Sequence, residues 1–194
     1  MQEKIVALLK TVKREGMDNL INYLEKECDF FTASASTTYH ENTAGGLARH
    51  SYNVYTLLAE KVARFYPKGN IPEQSIVLCG LLHDVCKIDM YKWGFKWKKD
   101  ANNKWIEDPC WLVDDKFPVG HGEKSVFMIQ RYIQLTDEEI AAIRFHLGMS
   151  ETGVHFNYPM GFAYKAAISK YPLLLLTHTA DVEAAYALEE TVHS

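Results

Sequence analysis

The chain has 194 residues, which is enough for one domain that closes a hydrophobic core without disulfide bonds or a structural zinc cluster. Apolar residues make up 47% of it and charged residues 24%, a balance that excludes a disordered or fibrous protein. A net charge of −4 gives no general attraction to nucleic acid or anionic lipid, so a phosphorylated ligand must be bound by local charge or by metal.

Helical spacing of apolar residues predicts a mainly α protein with a single domain over 1–194, in which 1–30 form N-terminal helices and 46–190 form the core. Expected helices cover about 2–14, 17–28, 46–66, 72–87, 121–133, 137–147, 162–170 and 172–190. Local sequence supports several helix starts. Thr136 and Glu139 have the spacing of a capping box, and Pro72 and Pro172 suit a first helical turn.

The chain offers no sign of export or membrane insertion. Its first helix is amphipathic and lacks the apolar core and cleavage site of a signal peptide. The longest aliphatic run is Leu173 to Leu176, too short to span a bilayer, so we expect a cytoplasmic protein with no membrane partner. The four cysteines form no CxxC pair and are interpreted as small core residues in a reducing compartment: Cys28, Cys79, Cys86 and Cys110.

One stretch, about 90–113, departs from helical spacing. Aromatic residues alternate there with lysines and glycine, and a DANN segment separates the two halves, which predicts a β-hairpin inserted between helices. A hairpin normally buries one aromatic face against its own domain. The alternative is a substrate lid, in which lysines bind phosphate while a ring stacks on a base. The hairpin lysines are Lys92, Lys96, Lys98, Lys99 and Lys104.

Ionisable residues occur at positions that helical spacing predicts to be buried. The pair His83-Asp84 lies within the apolar segment LCGLLHDVCK, where burial is costly unless the charge is paired. His50 falls on the apolar face of its helix, and Asp181 shares a stripe with Leu174 on the last helix. Each of these residues alone is more often a hydrogen-bonded core residue. A metal ion would be an efficient partner for all of them.

Two further histidines lie at helix ends, where a side chain can reach a cleft. His121 opens a helix after Gly120, and His146 closes one before Gly148. Four imidazoles and two carboxylates suit two divalent ions of the Mn, Fe, Co or Zn kind, with Mg possible and Asp84 as the bridging ligand. Calcium and a purely structural zinc fit this donor set poorly.

The segments GGLARHSYNVY, GLLHDVCK, GHGEKS, RFHLG and HTADVEAAY occur in the order and spacing of the HD-domain superfamily of metal-dependent phosphohydrolases, which the chain resembles over roughly 30–190. The stretch ASASTTYHENTAGGLARHS is also similar to the entry to the HD domain of bacterial 3′→5′ exoribonucleases. The resemblance implies an all-α HD bundle with the hairpin inserted. The implied metal ligands are His50, His83, Asp84 and Asp181, with His121 and His146 added by the longer two-metal pattern.

The resemblance has limits that bear on the substrate. The exoribonucleases carry an OB-fold ahead of the HD domain, and only about 30 residues precede it here. Two-metal HD proteins often show a paired HH where this chain has His146 followed by Leu147, and the GYP signature of cyclic-di-GMP phosphodiesterases is absent. We therefore expect a nucleotide or short oligonucleotide as substrate and long nucleic acid as a poor one. Cleavage of a monoester, a diester or a triphosphate stays open.

The expected reaction is phosphoester hydrolysis by a metal-activated hydroxide, oriented by Asp84 as a catalytic residue. Lys87 completes the HDxxK pattern and would neutralise a phosphate, unless it is a solvated lysine at a helix end. His178 is either a proton donor to the leaving oxygen or a core hydrogen-bonding residue. The remaining candidates for substrate binding are His40, Lys124 and Ser125.

Two other functions fit the same ligands. Some HD-fold proteins hold a di-iron centre that activates oxygen, and a non-catalytic nucleotide sensor would bind metal without turnover. The sequence leaves the oligomeric state open. His155 has no motif around it and is expected to lie outside the site.

Overall fold

A computed structural model describes residues 1–148 and 158–190. Over these residues the chain forms eight α-helices and one antiparallel β-hairpin, the all-α architecture with an insert that the sequence predicts. No helix in the described part of the chain is long and apolar enough to cross a membrane. The helices are α1 (Gln2–Leu9), α2 (Met17–Lys26), α3 (Gly46–Phe65), α4 (Glu73–Leu82), α5 (His121–Gln130), α6 (Asp137–Arg144), α7 (Tyr158–Lys170) and α8 (Pro172–Glu183). The strands are β1 (Tyr91–Lys99) and β2 (Trp105–Val113).

Helix α3 lies at the centre of the bundle and packs against α4 and α8, while α6 packs against α8 and α5. Its inward face carries Leu47, Val54 and Leu58, all of which are buried, and His50 lies on the same face. Apolar spacing thus directs one histidine into the interior together with the residues that stabilise the helix. The site is built from the inward faces of α3, α4 and α8 and from the ends of α5 and α6.

The predicted local signals at helix starts are confirmed. The Thr136 hydroxyl accepts from the Glu139 amide and the Glu139 carboxylate accepts from the Thr136 amide, so both halves of the capping box of α6 are present. Pro172 is the first residue of α8, and Pro72 directly precedes α4.

Helix α4 ends five residues earlier than its apolar spacing predicts. The helix stops at Leu82, and a 3₁₀ turn follows over Val85–Lys87. Neighbouring residues of an α-helix point about 100° apart, so a continuous helix would aim His83 and Asp84 in different directions. The change of backbone lets both side chains enter the same cluster.

Two other helices also end at least five residues earlier than predicted. Helix α1 ends at Leu9 and not near residue 14. Helix α8 ends at Glu183 and continues as a π-helical segment, Ala184–Leu188. A π-helical turn is rare and is often found beside functional sites. Here it leads the chain back toward α3.

The hairpin carries its aromatic residues on one face, because Trp93 pairs with Trp111 and Lys99 with Trp105 across the strands. Among the described residues, most of that face is open to solvent. Its rings are strongly exposed: Trp93 63%, Phe95 46%, Trp97 60% and Trp105 64%. Near the base of the hairpin, the Trp111 indole donates to the Asn42 carbonyl at 3.2 Å and ties the hairpin to the loop before α3.

Candidate metal centre

The six predicted ligands lie together in one cluster inside the bundle. His50, His83 and His146 are fully buried, and Asp84 and Asp181 are nearly so. His121 is partly exposed at the start of α5. Overlapping groups of these residues could hold a metal ion, because their ligand atoms lie within 4.8 Å of one another.

Asp84 occupies the middle of the cluster, and its two carboxylate oxygens face different histidines. Oδ2 lies 3.5 Å from His50 Nε2 and 3.7 Å from His83 Nε2. Oδ1 lies 2.6 Å from His121 Nε2 and 3.4 Å from His146 Nε2. A carboxylate placed between two sets of nitrogen donors has the arrangement of a bridging ligand.

Asp181 completes the first of these two sets from α8. Its Oδ1 lies 3.1 Å from His50 Nε2 and 3.9 Å from His83 Nε2. The two histidine Nε2 atoms are themselves only 3.2 Å apart. Donors from α3, from α8 and from the residue that follows α4 are therefore close enough together to coordinate one ion.

Hydrogen bonds fix the orientation of the imidazoles. The Nδ1 atoms of His83 and His146 donate to the carbonyls of Gly80, at 2.9 Å, and Ile143, at 2.7 Å. In the neutral rings the Nε2 atoms then carry lone pairs that point into the cluster. His146 Nε2 is buried and finds no hydrogen-bond partner among the described residues. Electron-pair donors that converge in this way could hold a cation.

The charge states of the cluster suit metal binding. Burial lowers the pKa of His83 to about 3, so its imidazole is neutral at physiological pH. Burial would also lower the pKa of His50, but hydrogen bonds to Asp181 and Glu189 outweigh it and raise the value to about 9. Burial would raise the pKa of Asp84, yet the Lys87 ammonium holds it well below its usual range. An ion bound at His50 Nε2 would replace the proton that these hydrogen bonds favour on that imidazole.

Glu189 contacts the cluster, and the sequence analysis did not identify it. Its carboxylate accepts from His50 Nδ1 at 3.0 Å and from the Asn53 amide at 3.0 Å, which orients the imidazole from behind. The residue follows the π-helical segment, where helical spacing no longer indicates which side chains point inward. The Glu41 amide also donates to the Glu190 carbonyl, so this stretch is tied to the loop before α3.

Two glycines let the helices approach closely enough to form the cluster. A Cβ on Gly80 would lie 2.5 Å from the Tyr55 Cα, so α4 packs directly against the α3 backbone and brings His83 to His50. A Cβ on Gly122 would lie 2.1 Å from the Arg144 carbonyl oxygen. That contact joins α5 to the end of α6, next to His146.

A cleft of about 440 Å³ opens onto the cluster from the α8 side. Lys87 lines it and is buried, with its ammonium 2.6 Å from Asp84 Oδ2, which differs from a solvated position at a helix end. His178 also lines the cleft, and its Nδ1 donates to the His146 carbonyl at 2.6 Å. Both residues thus lie beside the predicted ligands.

The predicted substrate-binding residues lie in different surroundings. His40 lines the same cleft, with its ring 4.8 Å from that of His50. Lys124 lines a smaller cavity of about 250 Å³ on the His121 side, paired with Asp115. Ser125 is fully buried, and its hydroxyl accepts from the Cys86 amide.

The last two sequence predictions concern Cys86 and His155. The Cys86 thiol is buried, as a small core residue would be, but it lies 3.5 Å from the His121 ring nitrogens and 3.9 Å from Asp84 Oδ1. Burial raises the pKa of this thiol. His155 lies outside the described residues.

The donor set, two carboxylates among four imidazoles, fits a divalent transition metal better than calcium. In the comparisons with known proteins, no protein-family model, no curated protein and no solved structure matches the chain.

Proposed function

We propose that the chain is a metal-dependent phosphohydrolase of the HD type that cleaves a phosphoester of a nucleotide or short oligonucleotide. The observation that carries the proposal is the position of Asp84, whose two oxygens face separate histidine sets while Lys87 lies 2.6 Å away at the edge of an open cleft. A bridging carboxylate next to a buried ammonium suits the binding of two cations and one phosphate.

The family part of the proposal is supported by the order of motifs and by the fold. Since no family model matches, it depends on His50, the His83-Asp84 pair and Asp181 occurring in the HD order within a helical bundle. The same residues converge in space although they come from three helices far apart in the chain. If the His83-Asp84 pair were a chance dipeptide, His50 and Asp181 would not be expected to lie beside it.

When bound, two divalent ions would supply a water of lowered pKa and Lewis acidity toward the phosphoryl oxygens. The residues of the chain provide the rest. Asp84 positions both halves of the centre, and Glu189 fixes the His50 ring. The Lys87 ammonium, held at the cleft by Asp84, is placed to bind a non-bridging phosphoryl oxygen and to stabilise the charge that develops in the transition state.

His178 is placed to serve the leaving group. Because its Nδ1 donates to the His146 carbonyl, the ring is held with Nε2 as the atom left for a second interaction. A protonated His178 would give that proton to the departing oxygen. Its position on the cleft wall, one turn before Asp181, supports this role.

The shape of the surface supports a small substrate. The cleft of about 440 Å³ has the size of a pocket for a nucleotide-sized ligand. The loop 37–44 lines this cleft with His40 and also lines a groove of about 680 Å³, to which the hairpin contributes Trp93, Lys96 and Trp111. A base stacked in the groove and a phosphate at Lys87 would occupy the two sides of one loop.

The proposal is tested by metal analysis followed by a substrate screen. Chelated protein is reloaded with Mn, Fe, Co, Zn or Mg and assayed on nucleotide monoesters, diesters and triphosphates, with oxygen uptake recorded in parallel. We expect about two ions per chain and phosphate release that depends on them. Oxygen uptake with iron and no phosphate release would indicate a di-iron oxygenase. Metal binding without any turnover would indicate a sensor.

A further inference from the structure

The Oδ1 side of Asp84 carries a sulfur atom as well as two imidazoles. His121 Nε2 lies 2.6 Å from this oxygen, His146 Nε2 3.4 Å and Cys86 Sγ 3.9 Å. The sulfur is also 3.5 Å from His121 Nε2. Asp84, Cys86 and His121 form one of the groups whose ligand atoms lie close enough together to hold a metal ion.

These distances resemble the edges of a tetrahedral zinc site. With Zn–N near 2.0 Å and Zn–S near 2.3 Å, tetrahedral geometry separates two ligand atoms by about 3.3 to 3.6 Å. The Sγ–Nε2 distance of 3.5 Å and the His146–Asp84 distance of 3.4 Å fall in this range. Because the sulfur is also 3.5 Å from His121 Nδ1, the His121 ring must turn for its Nε2 lone pair to meet an ion that the sulfur binds. The short His121–Asp84 distance is that of a hydrogen bond, whose proton an ion would replace.

The thiol is held in place by the fold. The Cys86 amide donates to the Ser125 hydroxyl, which ties the turn Val85–Lys87 to helix α5 just beyond His121. This buried hydrogen bond keeps the Cys86 backbone beside His121. The orphaned Nε2 of His146, fully buried and directed at the same carboxylate, shows independently that this side of the cluster lacks a positive partner.

We propose that Cys86 is a ligand of an ion held together with Asp84 and His121, so that this half of the centre has nitrogen, oxygen and sulfur donors. On binding, a Cys86–metal bond forms and the thiol proton passes to solvent. A thiolate ligand favours zinc, cobalt or iron over magnesium and manganese. The inference rests on the metal centre of the proposed function and not on the reaction.

Cobalt reports this ligand directly, because a thiolate bound to Co²⁺ gives a charge-transfer band in the near ultraviolet that nitrogen and oxygen ligands do not give. Chelated protein is titrated with Co²⁺ alone, with binding counted by metal analysis. We expect the band in the wild type and in Cys79→Ser, an equally buried thiol in α4, and its loss in Cys86→Ser. Two bound cobalt ions without the band, or a band that persists in Cys86→Ser, would overturn the proposal.

Two further readouts apply if Cys86→Ser folds poorly. Zinc X-ray absorption of the wild-type protein should show a sulfur neighbour at about 2.3 Å, and a spectrum with only nitrogen and oxygen neighbours would exclude the ligand. In Cys86→Ala the affinity for zinc should fall by about ten- to a hundredfold while that for manganese changes much less. A cobalt band in a protein that releases no phosphate would support Cys86 as a ligand and contradict the proposed reaction. Phosphate release by a protein without the band would support the reaction and contradict Cys86 as a ligand.

Discussion

The metal cluster and the hairpin depart from the usual distribution of side chains in opposite directions. Histidines and aspartates that normally face water are buried among α3, α4 and α8. Aromatic rings that normally pack inside are exposed on the hairpin, where Trp93, Trp97 and Trp105 each leave more than half of their surface accessible. Both arrangements cost free energy in the isolated chain.

The two regions differ in how firmly they are held. Every imidazole of the cluster has at least one short contact to a neighbouring group, and two glycine–backbone contacts set the helix spacing. The hairpin is fixed near its base, by the Trp111–Asn42 hydrogen bond, and its tip is closed on itself by Asp100. Rigid placement suits ions and chemistry, whereas an exposed ribbon suits a ligand that covers it.

Removing a ligand from the cluster should have the largest effect. Asp181→Ala or His50→Ala is expected to lose metal and all activity, because each removes a donor that the other ligands cannot replace. Metal analysis and turnover measure this together. Chelation of the wild type should also lower the melting temperature, since metal binds only the folded state. Full activity in a metal-free protein would overturn the entire assignment. His155→Ala should behave as wild type.

Lys87→Ala separates binding of metal from binding of phosphate. We expect both ions to remain and turnover to fall by roughly one to three orders of magnitude, because the ammonium beside Asp84 would no longer stabilise the transferring phosphoryl group. The matched control is Lys92→Ala, which removes an exposed lysine at the base of the hairpin. An unchanged kcat in Lys87→Ala would show that this lysine pairs with Asp84 and has no part in the reaction.

Glu139 offers a buried carboxylate that the protein satisfies without metal. Arg14 donates to both of its oxygens, Ser75 donates to one, and the side chain is fully buried. Glu139→Gln should lower the free energy of unfolding by about 3 kcal/mol at neutral pH while leaving the metal content unchanged. Asp137→Asn, an exposed acid in the same helical turn, should lose much less.

The pH dependence of that loss has a defined sign. Burial would raise the pKa of Glu139, but the hydrogen bonds from Arg14 and Ser75 outweigh it and hold the value below the ordinary 4.5. A depressed folded-state pKa contributes stability above the unfolded value and loses it as the pH falls through the folded value. The gap between wild type and Glu139→Gln, measured by urea unfolding, should therefore be largest above about pH 4.5 and should narrow as the pH falls further through the folded-state pKa. A constant gap would contradict the charged state of Glu139.

The smallest effects are expected on the hairpin. Trp93→Ala, or a shortened 96–105 tip, should raise KM about tenfold without loss of metal or melting temperature, because one stacking ring is lost from an exposed face. Phe127→Ala, an exposed ring on α5, should change neither.

The same region should decide substrate length. We expect kcat/KM for a mononucleotide or dinucleotide ester to exceed that for a long single strand, with weak salt dependence because few phosphates are contacted. If the protein instead degrades long RNA processively from its 3′ end, with a steep dependence on salt, RNA and not a small nucleotide is the substrate.

Periodicity predicts much of the fold because burial and helix geometry act locally. The capping box at Thr136 and the inward face of α3 follow from residues within a few positions of each other. The early end of α4 could not be predicted in this way, because the apolar spacing of the helix continues past Leu82 into the 3₁₀ turn Val85–Lys87. Exposure of the hairpin depends on the absence of a covering element, which alternation of aromatic residues does not encode.

The candidate site shows the same division. His83 and Asp84 stand out because ionisable groups interrupt an apolar helix. Glu189 does not stand out because it follows a π-helical segment, where helical spacing no longer applies. Cys86 does not stand out because cysteine is common in protein cores. Their roles depend on contacts with His50 and His121, and only the folded chain reveals those.

The hydrogen bond between His50 and Glu189 joins residues 139 positions apart, and Asp181 reaches the same imidazole from almost as far along the chain. During synthesis His50, His83 and Asp84 leave the ribosome long before either partner exists. The imidazoles and the carboxylate of these early segments would thus lack their hydrogen-bond partners until the end of the chain is made. Pairing between residues so far apart in sequence slows folding. On the proposed function, metal would therefore bind late in folding, once α8 has packed against the bundle.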